Sequence, residues 1–210
     1  MRKILFALVI VAVSLLGCTS QGAEQEARIA GLEQELAAWE KLSQSQQPLL
    51  SALQVVQLLK EKDFAGLANW VHPEKGVRFS SYPHVYVEVE QVFTVQQIAK
   101  LWQDETVYHW GTYDGIGDPI KLTFADYYQR FIYDYDFAEP QMIGNNHLIG
   151  RGNAIDNVHE VYPQGKFIEF YFEGQHPEYG GADWRSLKLV FEQHNGSWYL
   201  VGVIHGEWTI

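Results

Sequence analysis

One cysteine in 210 residues, Cys18, excludes any intramolecular disulfide. A domain cut from this chain must therefore stand on its hydrophobic core and its hydrogen-bonded sheet, without cystine staples. Soft-ligand metal sites are excluded on the same ground. The histidines at 72, 84, 109, 147, 159, 176, 194 and 205 contain no H-x-x-x-H pair of the kind that binds zinc from one helix face. No G-x-S-x-G elbow, P-loop or dinucleotide fingerprint is present. No metal and no cofactor is expected. Basic residues are scarce, with 15 Lys and Arg against 26 Asp and Glu for a formal net charge of −11. That balance argues against a nucleic-acid partner, which needs clustered cations, and against electrostatic attachment to anionic headgroups. The apolar run at the N-terminus, Ile4 to Leu16 broken only by Ser14, falls short of the roughly 20 residues that a membrane-spanning helix needs.

That run has the layout of a secretory signal peptide: Met1-Arg2-Lys3 is basic, the apolar stretch follows, and Gly17 is small. Leu15-Leu16-Gly17-Cys18 resembles the lipobox of bacterial lipoproteins, although Leu16 is bulkier than the residue usual at its position. The resemblance implies that Cys18 is acylated, with palmitate among its acyl chains, and becomes the first residue of the mature chain. The alternative is an ordinary signal peptide with an incidental cysteine. Thr19 stands where an aspartate would favour retention at the inner membrane, so the resemblance implies the outer membrane in a Gram-negative cell. The expected organisation is a signal peptide over 1–17, a partly helical spacer over 18–48 and a single α+β domain over 49–210. The mature protein is then held to the cell envelope, outside the cytoplasmic membrane, by its lipid anchor.

Within the spacer Ile29, Leu32, Leu36 and Trp39 recur at three-four spacing, so the stretch reads as an amphipathic helix, either a stalk or a weak self-association element. "SQSQQP" breaks the pattern, and Pro48 suits the first turn of a new helix. The apolar spacing of Leu50, Leu53, Val56 and Leu59 predicts that helix to about Lys62, and Asp63 caps a second one. "GVRFSSYPHVYVEVEQVF" reads as extended, with Val85, Val87 and Val89 alternating against polar residues. "TVQQIAKLWQDE" and "TFADYYQRFIYDYDF" read as helices, the latter capped by Thr123 with Asp126 at the third position. The last third predicts four strands, "NAIDNVHEVYP", "KFIEFYFEG", "SLKLVFEQH" and "SWYLVGVIHGEWTI", with "PQG" and "HNG" as turns. Helices first and an antiparallel meander last predict an α+β domain, its N-terminal helices packed on a curved C-terminal antiparallel sheet.

This element order resembles the cystatin-like and NTF2-like superfamily of cone-shaped domains, with "LLKEKDFAGLANWVHPEKGVRFS" similar to the opening helices and first strand of such a domain. The ending "DWRSLKLVF…W.LVG…H..WTI" resembles bacterial lipoproteins of unassigned function. In the superfamily the concave face of the sheet holds a small ligand in some members, while others are binding or dimerisation modules without chemistry. That leaves the activity open; aromatic surface and acidic charge without a recognisable reaction constellation read as a lipid-anchored extracytoplasmic module that binds an envelope protein or a small molecule, with no catalysis expected. The alternative is a small-molecule isomerase, dehydratase or hydrolase with a pocket on the concave face.

Several residues carry chemistry if any do. Simple alternation along the last strand puts Trp198, Leu200, Gly202, Ile204 and Trp208 on one face and Tyr199, Val201, Val203, His205 and Glu207 on the other. Pairing through "HNG" brings Arg185 towards Glu207 and His205, with Trp110 and Tyr113 expected nearby, as a ligand site at the polar strand ends or as a structural ion-pair network. Asp183 and Arg185 read as a turn-fixing pair or a carboxylate grip. Asp114 and Asp118 sit on a Gly-rich loop without the full calcium-loop pattern. Tyr128, Asp134, Tyr135 and Asp136 could line a pocket mouth, or the rings could simply fill core.

Overall fold

The computed structural model describes residues 20–209, and the signal-like run and Cys18 lie outside them. The chain divides into two compact units at Gln46/Gln47. The first contributes helix from α1 (Ser20–Glu61), whose Leu32, Leu36 and Trp39 are all more than half exposed. The expected break at "SQSQQP" does not occur, because α1 carries Pro48 in its interior. Proline there gives up one intrahelical hydrogen bond at about 3 kcal/mol. The turns that follow offset this by burying Ala52, Val55, Val56 and Leu59. Among the described residues no helix is long and apolar enough to cross a membrane.

Removing the chain through Gln46 leaves Pro48 in a first helical turn, where its missing donor costs nothing. The melting temperature of the remaining unit is expected to change by less than about 2 °C, under about 1 kcal/mol for a domain of this size. Calorimetry of the truncated chain checks this, and a larger loss would place the Ile29–Trp39 stripe in the core.

In the second unit the caps expected at Asp63 and Thr123 form, and Thr94 adds one not expected from the sequence. Asp63 accepts from Gly66 N at 2.8 Å and starts α2 (Phe64–Leu67). Thr94 and Gln97 form a capping box on α3 (Val95–Ile98). Thr123 Oγ1 accepts from Asp126 N at 3.2 Å at the head of α4 (Phe124–Phe131). Strand β1 (Val77–Ser80) is followed not by a long strand but by turns that return only β2 (Val92–Phe93). Arg78 Nη1 donates to the carbonyls of Val87 and Glu90 at 3.0 and 3.3 Å, taking acceptors that a neighbouring strand would have used. Val85 is buried while Val87 and Val89 stay exposed. The pair β3 (Tyr108–Thr112) and β4 (Pro119–Leu122) forms a separate two-stranded sheet.

The remaining elements are β5 (Met142–Asn145), α5 (Val158–Val161), β6 (Lys166–Phe172), β7 (Arg185–His194) and β8 (Ser197–Glu207). "NAIDNVHEVYP", expected as a strand, is instead a loop leading into α5. Asn157 explains why, since its Oδ1 accepts from Val85 N at 2.8 Å and its Nδ2 donates to Val85 O at 3.1 Å, the side chain doing what a strand partner would.

The main sheet has six strands in the order β2-β1-β8-β7-β6-β5. Its pairs are antiparallel except that β1 runs parallel to β8, Phe79 opposite Val203. The fold class is α+β, with N-terminal helices and a curved, mainly antiparallel C-terminal sheet. Phe79, Phe93, Trp110, Phe124, Tyr127 and Phe131 belong to the larger core, which is shared with the helices. A smaller core of Val85, Val158, Tyr162, Phe167, Val190, Val201 and Ile204 is built around α5.

Candidate functional site

Asn195 and Gly196 both have positive φ, 51° and 79°, the geometry of a two-residue hairpin turn between β7 and β8. Counting back from that turn alone would set Arg185 opposite Gly206. A bulge intervenes: Val190 pairs with Gly202 but Phe191 with Leu200, leaving Val201 as the extra residue. The bulge advances the register, so Arg185 faces Glu207. It also reverses the alternation, so that Leu200 and Val203 share the larger core while Val201 and Ile204 join the smaller. The simple two-face reading of β8 therefore fails at Val201.

Past the bulge, His205 and Glu207 join a charged cluster completed by residues from α4 and the turn beyond it. Arg130 holds Glu207 through both oxygens, Nη2 to Oε1 at 2.6 Å and Nη1 to Oε2 at 3.3 Å. Arg185 Nη2 reaches Glu207 Oε2 at 3.2 Å, and its Nε donates to Asp134 Oδ2 at 3.1 Å. His205 Nε2 lies 3.2 Å from the same Oδ2. A carboxylate only accepts, so that nitrogen carries the proton. His205 is fully buried, with the edge of Phe131 against its ring. Burial pushes the Asp134 carboxyl up, but His205 and Arg185 outweigh it and hold it below the usual carboxylate range. The opposing charges pair with one another, although Asp134 Oδ1 and His205 Nδ1 are buried without a hydrogen-bond partner, and the cluster is a clasp between the end of α4 and the end of β8.

Arg185, His205 and Glu207 thus meet, but two of the residues expected beside them do not join in. Trp110 lies in the aromatic core, stacked on Tyr127 at 3.8 Å, with Nε1 donating to Leu122 O. Tyr113 packs on Phe131, one ring removed from His205. Asp183 does not pair with Arg185 but accepts from Gln175 N, His176 N and His176 Nδ1. The pocket-mouth reading of Tyr128, Tyr135 and Asp136 also fails. Tyr128 donates to Leu59 O, Tyr135 packs on Phe172, and Asp136 pairs with Lys60. Among the described residues no group of three or more His, Cys, Asp or Glu is placed to hold a metal ion, and Asp118 bonds through its backbone to Tyr113. Sequence reasoning missed Arg130 in this cluster and misplaced Asp134. Their spacing of four, one helical turn, was the available signal.

Space open to a ligand lies elsewhere in this unit. A cavity of about 260 Å³ opens among Tyr82, His84, Tyr86, Glu90, Trp110 and Thr112. An adjoining one of about 350 Å³ shares Tyr82, His84, Tyr86 and Thr112 and adds Asp114 and Asn153. The loop between β1 and β2 supplies the aromatic side. His84 and Tyr86 have ring centroids 4.6 Å apart. His84 Nδ1 is 3.1 Å from the acceptor Ile155 O, and Tyr82 Oη accepts from Asp114 N at 3.3 Å. Glu90 receives a hydrogen bond from Ser80 Oγ at 2.7 Å, and burial pushes its carboxyl up.

No protein-family model and no curated protein matches this chain. Among solved structures it is similar to a DUF4783 family protein from Bacteroides ovatus, at 7% identity and a TM-score of 0.31, covering 73% of this chain and 91% of that one. It is also similar to a designed NTF2-like protein, at 15% identity and a TM-score of 0.30, covering 72% and 90%. Likenesses of this size carry no argument about activity. The α+β class rests on the strand order and helix placement described above.

Proposed function

We propose that this protein is a lipid-anchored extracytoplasmic binding module with an NTF2-like cone, doing no chemistry of its own. One observation supports the binding reading over the isomerase, dehydratase or hydrolase reading. Where such an enzyme would keep a cavity between helices and sheet, this unit packs Phe79, Phe93, Trp110, Phe124, Tyr127 and Phe131, and its one histidine beside a carboxylate in that region is fully buried. The ligand, an envelope protein or a small molecule, is then met outside the packed core, where the cavities beside the loop between β1 and β2 are open to it. The anchor reading rests on Leu15-Leu16-Gly17-Cys18 behind a basic-apolar run. Mass spectrometry of the mature N-terminus is expected to find Cys18 first and acylated, and Cys18→Ser is expected to move the protein from the membrane to the soluble fraction. An intact Met1 or an unmodified Cys18 would sink the anchor.

A further inference from the structure

We propose that the aromatic trough formed by the two adjoining cavities binds a linear di- or polyamine, with one ammonium at Glu90 and another at Asp114. This names a ligand and a place for the binding module proposed above, and so rests on that reading. It does not depend on the anchor. Sign comes first: no lysine or arginine lines either cavity, while each has one carboxylate in its wall. The two carboxylates oppose an anionic ligand, and the acidic chain as a whole attracts cations.

Glu90 decides the chemistry at one end. It is half-buried, Ser80 Oγ and the Tyr86 backbone N–H donate to it, and no ion pair reaches it among the described residues. The nearest guanidinium, Arg78, spends Nη1 on the backbone carbonyls of Val87 and Glu90. Arg78 and His84 favour the Glu90 carboxylate without forming an ion pair with it, but burial outweighs them, and an entering ammonium would supply a direct cation partner. A metal ion does not fit, since no third ligand stands with Glu90.

The rings decide the shape of the ligand. Tyr82, His84 and Tyr86 belong to both cavities, so one ligand can run along them from Glu90 to Asp114. Methylene chains pack on aromatic surface, and ammonium groups are drawn to ring faces. Two charged ends and an apolar middle match a chain of methylenes between nitrogens better than a compact cation. The backbone bond from Asp114 N to Tyr82 Oη ties the two ends of the trough together before a ligand arrives.

The test is titration calorimetry of the full-length protein with spermidine, putrescine, butylamine and the uncharged 1,4-butanediol. Spermidine and putrescine are expected to bind and the diol not. Glu90→Gln is expected to weaken all three amines about tenfold, the scale of a lost charge-assisted contact in a half-buried site. Asp114→Asn should weaken the diamine and polyamine but leave butylamine unchanged. Glu178→Gln, on a remote turn, should change nothing. Because burial works against the Glu90 charge, Glu90→Gln should melt at the same temperature as the parent or above it, which separates lost binding from lost fold. Equal binding of the diol, no binding of any amine, or equal weakening by all three substitutions would overturn the site. If amines fail while Glu90→Gln and the parent both still capture an envelope partner, the trough is refuted and the binding module stands. Consumption of a bound amine, followed by NMR, would uphold the trough and refute the non-catalytic reading.

Discussion

Replacing Trp110 by alanine is expected to lower the unfolding free energy by about 3–5 kcal/mol, the range for deleting a large buried aromatic. The indole is almost completely buried, stacked on Tyr127 and in contact with Phe79, Phe93 and Phe124. Its loss would leave a cavity that these rings cannot collapse into without leaving their own partners, and would leave Leu122 O without the donor it has now. Trp110→Phe keeps most of the packing and is expected to cost roughly half as much, chiefly through that hydrogen bond. Urea melts of the two variants check the order, and equal losses would mean that Nε1, not the packing, governs the site.

Glu207→Ala is expected to cost about 3 kcal/mol at neutral pH, towards the lower end for breaking a buried pair, because Arg130 is partly exposed and can recover water. Arg185 cannot recover it as readily, being about three-quarters buried. The double variant Arg185→Met/Glu207→Leu leaves Arg130 without Glu207 and Asp134 without Arg185, so it should cost at least as much as Glu207→Ala. Asp134 adds a pH signature. Its folded pKa is depressed, so its contribution is fully present above the ordinary carboxylate value near 4 and fades as pH falls through the lower folded value. The stability gap between the parent and Asp134→Asn is therefore expected to be widest at neutral pH and to close below about pH 4. A gap that stayed constant between pH 7 and pH 3 would show that the Asp134 charge is not what matters.

Local signals in the sequence were read well where one segment decides its own structure. The caps at Asp63 and Thr123, the "HNG" turn and the three long strands β6 to β8 all depend on neighbours within a few residues. The failures lie where distant groups decide. Arg78 and Asn157 take backbone partners that would have extended two predicted strands, and neither substitution of side chain for strand shows in periodicity. The meeting of Arg185, His205 and Glu207 was visible from hairpin register. The bulge at Val201, which puts Arg185 directly opposite Glu207, was not, because Val201 suits a regular strand as well as a bulge. Trp110 was placed beside that cluster because an aromatic in a polar stretch reads equally as contact surface or as core.

The parallel bond between β1 and β8 has a consequence for how the chain comes together. The rung of Phe79 beside Val203 joins residues more than a hundred positions apart, and every other strand of the sheet is made before β8. Until β8 arrives, β1 has β2 on one flank and nothing on the other, and β7 has β6 alone. Without β8 the native pairings of the other strands would form two half-sheets, β2-β1 and β7-β6-β5, each with a bare hydrogen-bonding edge. Long-range closure of this kind sets a slow rate and leaves those edges available to other chains in the interval. Completion of the sheet therefore waits on the last strand of the chain.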